Sequence, residues 1–212
     1  MESKRNFQKN NLSCRPQKAI YISAVFGRGF LTKLFCLLCL VAFATGVFAQ
    51  HKAITETFET ATKKGKYPEG EVTTTNGKWL FKDALVWDKE PTDFRAMAPR
   101  VMSAPTIEDE SGSITSLFET KGLKSVKVGF IGYKLDPGYF QLEVLVSANK
   151  GQSWRSIGTV RGRYDKSRET FATFKTNSKK DEELMIKVVN TSAPKLNRLN
   201  RVNITLIEME IQ

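Results

Sequence analysis

Between Tyr139 and Val160 the chain reads YFQLEVLVSANKGQSWRSIGTV. Phe140, Leu142, Val144, Val146 and Ala148 fall on alternate positions, which places them on one face of an extended strand. Tyr139, Gln141, Glu143 and Ser147 take the other face, with Leu145 among them. Asn149-Lys150-Gly151 supplies turn chemistry, with Gly151 free to adopt φ > 0, and the extended pattern resumes from Trp154 to Val160. The segment predicts a β-hairpin. One side of it is so apolar that a second layer must cover Phe140 to Ala148.

The same period of two recurs along the chain. It predicts strands at Ala53–Glu59, Glu71–Thr75, Lys78–Phe81, Ala84–Trp87, Ala96–Ser103, Ser113–Phe118, Leu123–Tyr133, Glu169–Thr176, Leu184–Val189 and Arg201–Ile211. Ile54 and Phe58 anchor the first of these, Trp79 and Phe81 share a face, and Val126, Val128 and Phe130 lie opposite Lys127. Asn76-Gly77 marks a tight hairpin. Arg161 to Arg168 reads as a basic loop. In the closing strand Val202, Ile204 and Leu206 share one phase and Ile207, Met209 and Ile211 the other, which implies a bulge. Strands at roughly 8–12-residue spacing, with no sustained helical period after residue 49, predict an all-β, two-sheet antiparallel sandwich filling residues 50–212 as one domain.

The first 49 residues have a different character. Seven lysines and arginines against Glu2 precede and flank the apolar run Leu34–Phe48, which ends Val47-Phe48-Ala49 before Gln50. A basic start, an apolar core and small or aliphatic residues at −3 and −1 predict a secretory signal peptide over residues 1–49. The run is short of the ~20 residues a membrane span needs, so no span is expected after cleavage. The formal charge of the whole chain, +11, comes from 33 bases and 22 acids. Without the leader, 26 bases and 21 acids remain, a charge of +5. Cys14, Cys36 and Cys39 all belong to the leader, so the exported part has no disulfide and no thiolate chemistry. The expected location is secreted, periplasmic or cell-surface.

Four stretches in order, ETFE (56–59), GKWLFKDALV (77–86), VSANKGQSW (146–154) and RVNITLIEM (201–209), resemble the jelly-roll modules of secreted Bacteroidetes proteins. Such modules are often appended to extracellular nucleases, peptidases or glycan-degrading enzymes. The resemblance implies a jelly roll with accessory, carbohydrate-binding-module-like function. Those modules often close on Asn-Ile-Asp-Asp, whereas Asn203-Ile204 is followed here by Thr205-Leu206. A calcium carboxylate is thereby missing from the strand, and no cofactor or metal is expected.

The only histidine, His51, stands beside the predicted cleavage point, which excludes Ser-His-Asp catalysis and multi-histidine metal sites. No Gly-rich phosphate loop is present. Two carboxyls across a cleft would leave one catalytic route, a small glycoside-cleaving enzyme, with Glu143 facing Asp83, Glu119 or Glu71. Aromatics point instead to binding, because sugar rings stack on Trp and Tyr. Trp79 and Trp154 are expected to pack in the core. Trp87 stands at a strand end beside a polar loop, and Tyr133, Tyr139 and Tyr164 lie at strand ends or in loops. Tyr139, Gln141 and Glu143 share the outward phase of the central strand, with Leu145 as an apolar floor. Arg161, Arg163 and Tyr164 would flank that face. The expected ligand is a glycan or other extracellular polymer rather than nucleic acid. A third alternative is an envelope-associated structural or interaction protein.

Overall fold

A computed structural model describes residues 52–61, 67–86, 98–106, 108–133, 136, 139–163, 169–193 and 200–212, with Arg163 described in its backbone only. The predicted signal peptide lies outside the described residues. Among the described residues no helix is long and apolar enough to cross a membrane.

Among the described residues, alternation of apolar and polar residues yields thirteen strands, in two antiparallel sheets that form a jelly-roll sandwich. The first sheet contains β1 (Lys52–Glu56), β4 (Ala84–Leu85), β5 (Arg100–Met102), β8 (Leu123–Gly132), β11 (Thr170–Lys175) and β13 (Arg201–Ile211), in the order β11-β8-β13-β5-β4. β1 pairs with the later part of β13, Glu56 standing opposite Ile207. The second sheet contains β2 (Gly70–Thr74), β3 (Gly77–Lys82), β6 (Ser113–Ser116), β9 (Tyr139–Ser147), β10 (Arg155–Arg163) and β12 (Glu183–Asn190), in the order β10-β9-β12-β6-β3-β2. A short β7 (Thr120–Lys121), which the sequence pattern does not announce, pairs with the start of β12.

The inward phases meet between the sheets. Val126, Val128 and Phe130 of β8 and Val202, Ile204, Ile207 and Met209 of β13 bury themselves against Phe140, Leu142, Val144 and Val146 of β9 and Leu184, Ile186 and Val188 of β12. Phe130 and Phe140 bridge the layers edge to face at 5.5 Å between centroids, and Trp79 packs in the same way on Phe58 at 5.3 Å and Phe118 at 5.4 Å. Each fully buried side chain of this size contributes about 1.5–3 kcal/mol, so no disulfide is needed to hold the layers together. Glu56 of the ETFE stretch is buried too. Its carboxylate accepts from the Phe58 backbone N–H (2.6 Å), the Thr74 hydroxyl (2.5 Å) and the Asn76 amide (3.1 Å), tying β1 to the β2–β3 hairpin.

Several details differ from the sequence reading. The phase change in β13 falls one residue earlier than expected: the ladder with β8 shifts between Ile204 and Leu206. Thr205 is the extra residue, and Leu206 leaves the face of Val202 and Ile204. Arg161 and Arg163 are not in a loop, because β10 runs on to Arg163, paired with Gln141 and Tyr139 of β9. The pairing of β9 with β10 begins at Val146 and Arg155, so the connection between them is longer than a tight turn. Ser147 and Asn149 hold it: Ser147 Oγ accepts from Gly151 N (2.8 Å) and Asn149 Oδ1 from Ser153 N (3.0 Å). Gly151 takes φ of 83°, as its lack of a Cβ permits. Ala148 is exposed rather than covered, because the strand has already given way to this loop.

Candidate functional site

The strand order of the second sheet builds its outer face from residues far apart in the chain. Across the middle of the face run Ser156 (β10), Leu145 (β9), Lys187 (β12), Thr115 (β6) and Leu80 (β3), each opposite the next. The adjacent row is Thr159, Glu143, Val189, Ser113 and Lys82. β6 contributes only short side chains, flanked by Lys187 and Val189 on one side and Leu80 and Lys82 on the other. Side-chain length along the ladder thus makes a furrow with Ser113 and Thr115 as its floor. Both are largely buried, and neither hydroxyl has a hydrogen-bond partner among the described residues.

Trp154 roofs one end of this furrow instead of entering the core. Its indole lies against Gly151, where a Cβ would stand 3.4 Å from the ring and 4.0 Å from Met185 Cε. The loop after β9 thus folds back over the outward side of β12. Lys187 Nζ sits 4.2 Å from the centre of the Trp154 ring. This ammonium is half-buried and makes no ion pair among the described residues. Burial, and secondarily the nearby Lys82 charge, hold the Lys187 pKa below its ordinary value. Lys82 itself is ion-paired with Glu110.

The central-strand candidates do lie on this face. Tyr139 is 59% exposed, with the Arg161 guanidinium 5.4 Å from its ring centre. Gln141 is partly engaged, its amide donating to Thr191 Oγ1 at 3.2 Å. Glu143 lies between Thr159 and Val189 and makes no hydrogen bond or ion pair among the described residues. Arg163 stands opposite Tyr139 in the ladder. Trp87 and Tyr164 lie outside the described residues. Sequence reasoning passed over Lys187, Ser113 and Thr115. The available signal was a lysine on the outward phase of the otherwise apolar run Leu184–Val189.

Two further expectations fail here. Tyr133 is buried, not a platform for ligand: the Arg100 and Arg201 guanidinium groups each lie 4.2 Å from its ring centre. Asp136 clamps Arg201 through Nε (2.9 Å) and Nη2 (2.7 Å), and this bidentate bond pushes the Arg201 pKa up. Glu143 also does not meet the carboxylates considered for it. Four strand spacings, about 19 Å, separate β9 from β2 and Glu71, and three, about 14 Å, separate it from β3 and Asp83. Glu119 precedes β7, whose antiparallel register with β12 puts it near Met185, about 14 Å along that strand from Val189. Glycosidase pairs stand about 5–10 Å apart.

No family model matches the chain, and no curated protein matches it. Solved structures similar to this chain include carbohydrate-binding modules, an adhesin domain and carbohydrate-active enzymes. The K2 cleaved adhesin domain of Lys-gingipain is 14% identical, covering 74% of this chain and 99% of that one, with a TM-score of 0.47. The CBM22-1 xylan-binding domain of Paenibacillus barcinonensis Xyn10C is 8% identical over 72% of this chain and 99% of its own, with a TM-score of 0.43. The family 29 carbohydrate-binding module CBM29_1 of Piromyces equi is 13% identical over 76% and 92%, with a TM-score of 0.36.

Proposed function

We propose that the chain is an exported, non-catalytic binding module that holds a glycan on the outer face of the second sheet. The observation that carries this reading is the furrow. It combines an indole partly open to solvent, apolar side chains from Leu145, Val189 and Leu80, and polar groups on Ser113, Thr115 and Glu143 that make no hydrogen bond among the described residues. A polysaccharide needs this mixture, because its ring faces are apolar and its edges are hydroxyls. Tyr139 at the end of β9 extends the stacking surface. Export rests on the basic and apolar character of residues 1–49, and intact mass of the secreted protein should start at Gln50.

Affinity gel electrophoresis against a panel of soluble plant and microbial polysaccharides tests the binding. The protein should be retarded by at least one of them. Trp154→Ala and Tyr139→Ala should weaken that retardation while leaving the melting transition within a few degrees of wild type. Unretarded migration through every gel would remove the glycan reading and favour a structural or interaction protein.

A further inference from the structure

The Lys187 ammonium is an anomaly on this face. Its aliphatic stem belongs in the row between Leu145 and Thr115, where a methionine would pack equally well. The charge at its tip is partly desolvated, has no carboxylate partner among the described residues, and has a second cation nearby in Lys82. A cation so placed weakens the fold. The Trp154 ring offsets only part of that cost through its π face. An external anion would complete the arrangement.

Resting on the glycan reading above, we propose that Lys187, roofed by Trp154 and flanked by the Ser113 and Thr115 hydroxyls, forms a carboxylate-binding subsite, and that the ligand is a glycan containing uronic acid. The chemistry favours a carboxylate. Lys82 is already occupied by Glu110, so among the described residues the furrow offers one ammonium without an acid, which acts as a single point charge. Densely sulfated chains call for several guanidinium forks, and the middle rows of the furrow contain no arginine. A carboxylate bound to Lys187 can also accept from the two hydroxyls, neither of which has another partner among the described residues.

The test uses the purified protein with polygalacturonate, the same polymer fully methyl-esterified, a neutral xylan and single-stranded DNA. Wild type should bind polygalacturonate about tenfold or more tightly than its ester. Lys187→Gln and Lys187→Met should remove that difference. Lys175→Gln, an exposed lysine on the other sheet, should keep it. Equal binding of polymer and ester, unchanged by Lys187→Gln, would overturn the carboxylate subsite and leave the glycan reading standing. Equal losses from Lys187→Gln and Lys175→Gln, or tighter binding of DNA than of polygalacturonate, would reduce the effect to general polyanion attraction and also overturn it. Binding to none of the glycans would end the glycan reading, and this inference with it.

Discussion

The outer faces of the two sheets differ in how completely they pair their charges. On the first sheet, Lys124 on β8 reaches Glu210 on β13 at 2.7 Å, and the same carboxylate accepts from Ser125 at 2.8 Å. Lys127 pairs with Glu208 at 3.6 Å, and Thr205 hydrogen-bonds Glu169. Even Phe171, 50% exposed, is laid across Gly129, where a Cβ would stand 2.9 Å from its ring. On the second sheet the β2–β3 end follows the same rule, with Lys78 and Glu71 at 2.9 Å. Across β12 and β9 the rule lapses: among the described residues Lys187 has a ring but no acid, and Glu143 has no hydrogen bond or ion pair. Cross-strand pairs of opposite charge stabilise a sheet, and among the described residues the outward side chains of β9 and β12 make none.

The strand phase beneath this comparison can be broken first, and with the largest effect. Val144→Asp should leave the protein unfolded by circular dichroism and prone to aggregation. An unpaired carboxylate between the sheets costs several kcal/mol, comparable to the whole stability of a domain. Its neighbour Glu143→Gln should stay within about 0.5 kcal/mol of wild type in urea denaturation. Equal damage from both would mean that the inward and outward faces of β9 are confused.

A smaller effect compares the two faces directly. Glu210→Gln breaks the Lys124 ion pair and weakens the Ser125 bond, and should lower stability by about 0.5–1 kcal/mol, with the loss reduced in high salt. Glu143→Gln, which removes no ion pair made among the described residues, should show no such salt-dependent loss. Matching denaturation curves for the two variants would show that the difference between the faces has no energetic content.

The smallest effect has the opposite sign. Lys187→Met should raise the melting temperature by about 1–2 °C, a few tenths of a kcal/mol for a domain of this size. The pH dependence follows from the lowered pKa. The folded state releases the Lys187 proton earlier than the unfolded state does. Wild-type stability therefore rises with pH through the window between the lowered value and the ordinary 10.5, and the advantage of the Met variant shrinks there. Differential scanning fluorimetry of both proteins from neutral to alkaline pH measures it. A gap that widens with pH would contradict a desolvated ammonium.

What the sequence determined by itself was local. Alternation sorted Phe140, Leu142, Val144 and Val146 from Tyr139, Gln141 and Glu143, marked Trp79 and Phe81 as core, and required a bulge in β13. Side-chain direction in a strand depends only on the backbone of that strand, so one sequence suffices to read it. Which strand lies beside which was not legible, because that depends on how the whole hydrophobic surface closes. Only the tertiary structure placed Lys187 between Leu145 and Thr115, set Glu143 several strands away from Glu71 and Asp83, and sank Tyr133 between Arg100 and Arg201. Trp154 shows the limit most clearly. Its aromatic bulk argued for the core, but its side was chosen by a loop held by Ser147 and Asn149, in which Gly151 leaves room for an indole over β12. Periodicity governs residues inside a strand, and it has no hold on a residue one step beyond the strand's end.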